Sequence, residues 1–351
     1  MTTDWTHFLA GRALSDDATD FGAPTDELIA ARDGAVMAPL LDIGIIRASG
    51  PDAVSFLHNL VTNDVSGIDA ATARFAGFCT PKGRLLATML IWRDADDLLL
   101  ALPVDTHAAM LKKLSMYVLR SKLKLTDASA EKVLIGFKTP PAAVTPAPTL
   151  GGAPVLAEST SIRAVIDIPG GKAVRLDSTR WLLAVSPESA EKTWLELSAS
   201  ARPVGLAAWR WLEVAAGQPR VVAATQEAFV PQMLNMEHVA VAGVSFTKGC
   251  YPGQEIVART QYLGKVKRRM YRARLPESFS TATHIPGTHV FAPETGDQHC
   301  GSLVTVAPSP DGGYEALVCV QSAAVDAGSV HLGALDGPRL SFLNLPYSLG
   351  A

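Results

Sequence analysis

The stretch of sequence that says most about this chain reads Lys248-Gly249-Cys250-Tyr251-Pro252-Gly253-Gln254-Glu255. Two glycines and a proline within these eight residues predict a tight loop, because glycine tolerates positive φ and lets the backbone approach another group closely. A cysteine on such a loop is free to be exposed, and the nearby Lys248 would favour its thiolate form. The competing interpretation is a small buried cysteine in an ordinary turn. We call residues 248–255 the cysteine loop.

The residues that end the cysteine loop carry a second kind of chemistry. Gln254 and Glu255 begin a helix or a strand that continues through Ile256 and Val257. An amide beside a carboxylate offers both hydrogen-bond donors and acceptors, which suits a polar ring system held by paired hydrogen bonds. Gln254 and Glu255 are therefore candidate ligand-binding residues.

The composition is that of an ordinary folded protein. The chain has 351 residues, of which 48% are hydrophobic and 19% charged, enough for two or three domains with real cores. The formal net charge of −3 argues against a dedicated nucleic-acid binder, so we expect no direct contact with nucleic acid. We find no apolar run of about 18 residues and no basic start followed by an apolar core, so we expect neither a membrane span nor a secretion signal.

Cysteine usage points to a reducing compartment. The four cysteines, Cys79, Cys250, Cys300 and Cys319, are scattered and form no C-x-x-C pair, so no zinc or other metal site is predicted. A long chain with few scattered cysteines fits the cytoplasm better than a disulfide scaffold. All except Cys250 lie in apolar strand contexts and are predicted to be structural.

The hydrophobic pattern divides the chain into five parts. Residues 1–36 look like a mobile or loosely packed lead-in. Residues 37–138 alternate helices with hairpins, which predicts an α+β domain with a mostly antiparallel sheet. The Pro- and Ala-rich residues 139–152 are interpreted as a boundary or long surface loop. Residues 153–267 repeat the outline of the first domain and contain the cysteine loop, whereas the short apolar runs in 268–351 predict a small β-barrel or sandwich.

The elements predicted within these parts follow from hydrophobic spacing and turn residues. Strands are predicted at 40–48, 75–80, 85–93, 98–102, 133–137, 173–176 and 181–185. Helices are predicted at 52–61, after a cap at Asp105 or Thr106, at 187–198 with Trp194 and Leu197 inward, and at 207–216 with Gly217 as its C-terminal stop.

The cysteine loop resembles the K-G-C-[FY]-x-G-Q-E signature of the YgfZ family of folate-binding proteins, which are related in fold to the tetrahydrofolate-dependent T-protein of glycine cleavage. Six matched residues at fixed spacing are a specific signal. The resemblance covers about residues 37 to 270 clearly and the last eighty weakly. It includes Gly50-Pro51-Asp52-Ala53, Phe56-Leu57, Asn63-Asp64-Val65, Cys79-Thr80-Pro81-Lys82-Gly83-Arg84, Glu213-Val214-Ala215-Ala216-Gly217-Gln218-Pro219 and Phe229-Val230-Pro231-Gln232-Met233-Leu234-Asn235.

This resemblance implies a fold and a function. The implied fold is two ferredoxin-like domains in a ring-like body with a C-terminal small β-barrel, and with tetrahydrofolate in the central hole. The implied function is accessory to the assembly or repair of iron–sulfur clusters, with Cys250 and Lys248 as the working residues. Its partners would be iron–sulfur enzymes or assembly proteins, and effects on tRNA modification would be indirect. A single cysteine cannot hold a cluster alone, so any cluster would need ligands from a partner or from glutathione.

The resemblance also implies folate contacts outside the cysteine loop. Trp211 would stack on the pterin, Glu213 would accept its N–H groups, and Arg259 would bind the glutamate tail. Each has an ordinary alternative: a core indole, an exposed helix charge and a surface ion pair, respectively. Trp209 and Trp211 point to different faces of one helix, so at most one lines a pocket.

One departure from the T-protein pattern bears on catalysis. The aminomethyltransferases carry an aspartate pair shortly after the glycines of the matching hairpin, whereas Lys82-Gly83-Arg84 is followed here by Leu85-Leu86-Ala87-Thr88. Aminomethyl transfer by that mechanism is therefore not expected, and whether the chain is an enzyme stays open. A one-carbon transferase with another acid or base, or a scaffold that no longer binds folate, are the alternatives. The strand at 41–45 also lacks a tryptophan that some family members carry.

Overall fold

The computed structural model describes residues 3–139, 149–150, 153–154, 161–264, 266–276, 279 and 285–349. Within these ranges helices are combined with mainly antiparallel sheets, so the predicted α+β class is confirmed. Most of the Pro- and Ala-rich segment at 139–152 lies outside the described residues. Residues 155–160, near the start of the predicted part 153–267, also lie outside the described residues.

The helices and strands in chain order have the following bounds. The helices are α1 Thr3–Ala10, α2 Pro24–Asp33, α3 Ala53–His58, α4 Val104–Tyr117, α5 Pro187–Ser198, α6 Leu206–Ala215, α7 Gln254–Tyr262 and α8 Ser322–Ala327, with 3-10 turns at Ala223–Thr225, Pro231–Leu234 and Pro293–Thr295. The strands are β1 Val36–Pro39, β2 Ile43–Ser49, β3 Ala73–Cys79, β4 Leu85–Asp94, β5 Asp97–Pro103, β6 Lys124–Asp127, β7 Val133–Lys138, β8 Thr149–Leu150, β9 Ala153–Pro154, β10 Val165–Ile168, β11 Gly171–Arg175, β12 Arg180–Val185, β13 Arg202–Pro203, β14 Arg268–Arg274, β15 His289–Phe291, β16 His299–Pro308, β17 Tyr314–Gln321, β18 His331–Leu332 and β19 Ser341–Leu343.

Three larger sheets organise these strands. The first has the order β3-β4-β5-β2-β6, the second β10-β11-β12-β7-β1-β13, and the third β18-β15-β16-β17-β14-β19. The short strands β8 and β9 pair with each other. Among the pairs whose register the described residues define, only β1 with β13 is parallel, which confirms the predicted antiparallel character. The described strands after residue 267 all belong to the third sheet.

The chain forms two compact units. The first unit comprises Met1–Val54, Gly67–Arg74 and Leu90–Trp209, and the second comprises Ser55–Ser66, Phe75–Met89 and Arg210–Ala351. A core between the second sheet, α1 and α5 lies in the first unit, and a core around the third sheet and α8 lies in the second. The residues of the cysteine loop and of α7 belong to the second unit, as do those of α3 from Ser55 onward.

The N-terminal residues are packed, so the expectation of a mobile or loosely packed lead-in is wrong. Trp5 is only 4% exposed, Leu9 is fully buried, and the Trp5 ring lies edge-on to Trp194 with a centroid distance of 5.5 Å. Trp5 and Leu9 are four residues apart, so they lie on the same face of α1, and that face is buried. The carboxylate of Glu27 on α2 is also buried and accepts a hydrogen bond from the backbone N–H of Gly205 at 2.8 Å.

The predicted start of α4 is also wrong. The helix begins at Val104 with Pro103 at the N-cap, so Asp105 and Thr106 lie inside its first turn. Pro103 has the extended conformation of a cap, with φ −54° and ψ 134°, and its carbonyl accepts a hydrogen bond from the Thr106 hydroxyl at 2.9 Å. Pro103, the last residue of β5, thus occupies the N-cap position, where a polar side chain is the usual choice.

Candidate functional site

Lys248 fixes one side of the cysteine loop from below the surface. Its side chain is buried at 7% exposure, and its ammonium donates hydrogen bonds to the carbonyl of Val61, at 2.8 Å, and to the carbonyl of His58. These carbonyls come at and just after the end of α3, where helix carbonyls lack internal partners and favour a cation. Burial lowers the pKa of Lys248 to about 8, although the nearby Asp64 carboxylate opposes this shift.

Tyr251 fixes the loop on the other side of the cysteine. Its side chain is buried, and the Lys248 ammonium lies 4.7 Å from the centre of its ring, within range of a cation–π contact. Burial also raises the pKa of Tyr251, so the phenol stays neutral over the physiological range. The residues on both sides of Gly249 and Cys250 are thus held in the protein while those two are exposed.

Two glycines explain why the end of the loop is so close to another turn. Gly253 is the N-cap of α7 with φ +82°, and a Cβ on it would lie 2.4 Å from the Thr80 carbonyl oxygen and 2.6 Å from the Gly83 Cα. Gly83 itself has φ +70°, and a Cβ there would come within 3.0 Å of Ile256. Only glycine satisfies both the conformation and the space at Gly253. The turn at 80–84 and the cysteine loop therefore pack backbone against backbone.

Cys250 is the one exposed cysteine of the chain. Cys79, Cys300 and Cys319 are buried, as their apolar strand contexts predicted, and all four are free thiols. Burial raises the pKa of Cys79 and of Cys319 to about 12, and the pKa of Cys300 to about 11. These three thiols are protonated and inaccessible at neutral pH, so the accessible sulfur chemistry is that of Cys250.

The other loop candidates lie on α7, which settles the helix-or-strand alternative in favour of a helix. Gln254 donates a long hydrogen bond of 3.5 Å to the Gly249 carbonyl. Glu255 and Arg259 are exposed and one turn apart. Within the described ranges no ion pair involves Arg259, so the surface-pair alternative is not seen there.

The two candidates on α6 are less accessible than their proposed role suggests. Trp211 is only 6% exposed, and Trp209 is fully buried with its ring packed on Gly136 in the first unit. The indole N–H of each is buried and has no acceptor in the described part of the chain. Glu213, whose side chain is 13% exposed, forms an ion pair with Arg210 one turn earlier, so it is not the solvated helix charge that was its alternative role.

The structure therefore brings the candidates together only in part. Lys248, Cys250 and Gln254 share the cysteine loop, but across the described residues no hydrogen bond or ring contact joins that loop to Trp211 or Glu213. The described side chains also contain no group of three histidines, cysteines or carboxylates that would hold a metal ion. The fold agrees with the absence of the aspartate pair after the turn at 80–84. The strand β4, which follows this turn, begins with the buried apolar residues Leu85, Leu86 and Ala87.

Sequence reasoning overlooked three polar residues around the loop. His58 supplies one of the two carbonyls that Lys248 binds, and its side chain lies 3.2 Å from the carboxylate of Asp64. Gln232 is buried, and its amide donates to the Val257 carbonyl of α7 at 2.7 Å. The signal was available, because Asp64 and Gln232 both lie in stretches that match the family pattern.

The fold is similar to that of an aminomethyltransferase. The glycine cleavage system aminomethyltransferase T from Bartonella henselae superposes with a TM-score of 0.73, covering 97% of this chain and 96% of that chain at 18% identity. At this identity the likeness concerns the fold alone. No helix in the described ranges has the length and hydropathy needed to cross a membrane.

Sequence comparison identifies the family. The chain is 30% identical over 314 residues to the tRNA-modifying protein YgfZ of Photobacterium profundum, covering 88% of this chain and 90% of the relative. It is 31% identical over 234 residues to the protein of the same name from Vibrio vulnificus, covering 66% and 68% respectively. No protein-family model matches. The chain belongs to the YgfZ family, which confirms the resemblance drawn from the cysteine loop.

Proposed function

We propose that this chain is a folate-binding accessory protein in the assembly or repair of iron–sulfur clusters, and that it supports tRNA-modifying iron–sulfur enzymes indirectly. The observation that carries the proposal is an exposed thiol, Cys250, on a loop whose neighbours Lys248 and Tyr251 are buried. A fixed loop presents the sulfur to a partner at little further cost in conformational entropy. The relatives of this chain carry the name of tRNA-modifying proteins, which agrees with such a setting.

The proposal assigns the folate to residues of α6 and α7. Trp211 keeps a little exposed surface, and its buried indole N–H has no acceptor among the described residues, whereas Glu213 offers carboxylate oxygens beyond its pair with Arg210. An indole N–H and a carboxylate are a donor and an acceptor of the kinds that a pterin ring can pair with, although the two residues are two apart on α6 and do not share a helix face. Tetrahydrofolate, when bound, supplies a ring nitrogen that carries a one-carbon unit. The remaining contacts are proposed for three polar residues of α7, namely the half-buried Gln254 and the exposed Glu255 and Arg259.

The proposal includes the domain division expected from the sequence and a cytoplasmic setting. The α+β domains would be 37–138 and 153–267, with the β-barrel domain at 268–351. The exposed thiol supports the cytoplasmic setting, because a free accessible cysteine persists most readily in a reducing compartment.

Folate binding is tested by tryptophan fluorescence titrated with tetrahydrofolate. We expect saturable quenching that is reduced in Trp211→Phe and weakened in affinity in Glu213→Gln, with Trp194→Phe as a control for a buried indole of the first unit. Quenching that is absent at high ligand concentration, or unchanged in Trp211→Phe, would count against the pocket as assigned. Absence altogether would favour a scaffold that no longer binds folate.

The accessory role is tested by rescue in cells that lack the native protein. The activity of an iron–sulfur enzyme is measured with the wild type, Cys250→Ala and Lys248→Ala, and with Lys82→Ala as a control at an exposed lysine of the adjacent turn. We expect the two loop variants to fail and the control to rescue. Full rescue by both loop variants would show that the thiol is not the working part.

A one-carbon transferase is the second candidate, because the fold is shared with an aminomethyltransferase. Its difficulty is the turn 80–84, which is followed by apolar residues where that reaction would need a carboxylate. Turnover of methylene-tetrahydrofolate with candidate amines decides between the two. Stoichiometric transfer would defeat the accessory role.

A further inference from the structure

An imidazole lies next to the backbone that carries Cys250. The Nε2 atom of His58 is 3.6 Å from the position that a Cβ on Gly249 would occupy, and no other described atom outside residues 248–250 lies within 4 Å of that position. Gly249 directly precedes Cys250, so the imidazole lies within about one residue's length of the cysteine. The side chain of His58 is 19% exposed, and all these residues belong to the second unit.

A carboxylate lies on the other side of the same ring. Oδ1 of Asp64 is 3.2 Å from Nδ1 of His58, but the two atoms are not in line for a hydrogen bond, and Nδ1 is otherwise buried without a partner among the described atoms. Asp64 is held by Ser66, whose hydroxyl and backbone N–H donate to Oδ1 at 2.6 and 2.8 Å. These hydrogen bonds, more than the charges of His58 and Lys248, lower the pKa of Asp64.

The position of the carboxylate decides the tautomer of the imidazole. The negative charge of the carboxylate lies 3.2 Å from Nδ1, and this charge favours a proton on the nearer nitrogen even where the two atoms are not in line for a hydrogen bond, so we assign the proton of the neutral ring to Nδ1. Nε2 is then the free acceptor, and it is the nitrogen that faces Gly249. The second unit thus holds the components of an activated nucleophile: the Cys250 thiol, an imidazole next to the residue that precedes it, and a carboxylate near the other nitrogen of that imidazole.

We propose that His58, oriented by Asp64, accepts the proton of the Cys250 thiol and so keeps the sulfur as a thiolate at neutral pH. The S–H bond breaks and an N–H bond forms at Nε2, giving an imidazolium whose charge Asp64 balances. The other titratable groups of the cluster are Lys248, whose ammonium favours the thiolate and opposes the imidazolium, and Tyr251, which is neutral. The inference rests on the proposed role of Cys250 and adds the residue that makes its sulfur reactive.

The test is the rate at which iodoacetamide labels the full-length protein as a function of pH, followed by mass spectrometry. Because Cys250 is the exposed cysteine of the four, the first mass increment reports on it, and Cys250→Ala supplies the blank. We expect His58→Gln to move the midpoint of the labelling profile up by about one pH unit and to slow labelling at pH 7 by roughly fivefold to tenfold. Asp64→Asn acts in the same direction with a smaller effect, and His7→Gln, at an exposed histidine of α1, changes nothing.

If His58 had only a structural role, its substitution would change the stability of the protein but not the pH at which the thiol titrates. The ultraviolet absorbance of the thiolate, titrated in the wild type and in His58→Gln, gives the midpoint without any labelling reagent. A His58→Gln protein that unfolds at the same denaturant concentration as the wild type but titrates at higher pH supports the inference. Identical midpoints and identical labelling rates would overturn it.

Failure of this inference is separable from failure of the proposed function. If Cys250→Ala still rescues the iron–sulfur enzyme, the proposed function fails whatever the labelling profile shows. If Cys250→Ala does not rescue while His58→Gln labels like the wild type, the function stands and the role of His58 is refuted.

Discussion

Lys248 shows how one residue has both a structural and a chemical consequence. From the sequence it was only a cation near a thiol, whereas in the fold its ammonium binds the carbonyls of His58 and Val61. The separation of 190 residues between Lys248 and His58 means that no local pattern announces this contact. The lysine therefore stabilises the end of α3 and the cysteine loop together.

We predict that Lys248→Met lowers the free energy of unfolding by about 2 kcal/mol, because two buried or half-buried carbonyls lose their donor. Chemical denaturation followed by circular dichroism measures the change. Lys82→Met is the matched control, since Lys82 is exposed and should change stability by less than about 0.5 kcal/mol. Equal effects of the two substitutions would contradict the anchoring role.

The same lysine predicts a pH dependence. Its pKa is lowered from 10.5 to about 8 in the folded protein, so between these values the unfolded chain binds more protons than the folded one. Unfolding free energy then rises with pH in this window, because the penalty for burying the charge disappears as the folded lysine deprotonates. Comparing the wild type with Lys248→Met at pH 7 and pH 10 measures this contribution. A difference between the two proteins that does not change with pH would show that the lysine is not the titrating group.

At the scale of elements, the contact between the turn 80–84 and the cysteine loop sets the direction in which α7 leaves the loop. Gly253 caps that helix in the left-handed conformation, and its hydrogen atoms allow the Gly83 backbone to approach. Gln232 holds the next turn of the helix through the Val257 carbonyl. Two stretches that resemble the family separately are thus one packed structure.

We predict that Gly253→Ala destabilises the second unit by more than about 1 kcal/mol and disturbs the loop, because the new Cβ meets the Thr80 carbonyl oxygen at 2.4 Å and φ is +82°. Gly249→Ala is the control on the same loop, since its Cβ would meet its nearest neighbour at an ordinary 3.6 Å. Denaturation midpoints measure both. If the two alanines have the same effect, the close packing is not what requires glycine at 253.

The elements themselves were largely predictable, and the exceptions have physical causes. The helix at 187–198 was predicted with its bounds and with Trp194 and Leu197 inward, because its apolar residues recur at helical spacing. The burial of Trp5 and Leu9 was not predicted, because one short apolar helix face does not indicate which distant segments of the chain will pack against it. The same holds for the site. Its glycines and proline predict a tight loop from the sequence, but the residues that hold the loop in place are determined by tertiary contacts.

At the scale of the whole molecule, the two units are interleaved along the chain. Each is assembled from three stretches, with boundaries after residues 54, 66, 74, 89 and 209. The last stretch of the second unit contains the third sheet with its own core, but the partners of the cysteine loop come from the two earlier stretches. The loop therefore depends on parts of the chain synthesised much earlier.

We predict that a fragment of residues 210–351 keeps the third sheet but loses the order of the cysteine loop, because Lys248 has no carbonyls to bind and Gly253 has no turn to pack on. Limited proteolysis should cut the fragment between residues 236 and 264 while leaving that segment of the full chain intact. The protection of Cys300 and Cys319 from labelling serves as the control that the sheet has folded. A fragment as resistant as the full chain in that segment would refute the dependence.

The unequal burial of the four cysteines also has a practical consequence. Three sulfurs are sealed in cores, so the native protein offers a single position for a covalently attached dye or spin label. That position lies on a loop whose flanking residues are buried, so the backbone that carries the probe would rotate with the protein and would have little independent motion. Folate titrations can thus be followed on the natural sequence, with no cysteine removed and none added, whereas the chemistry proposed for the thiol itself is blocked by the label.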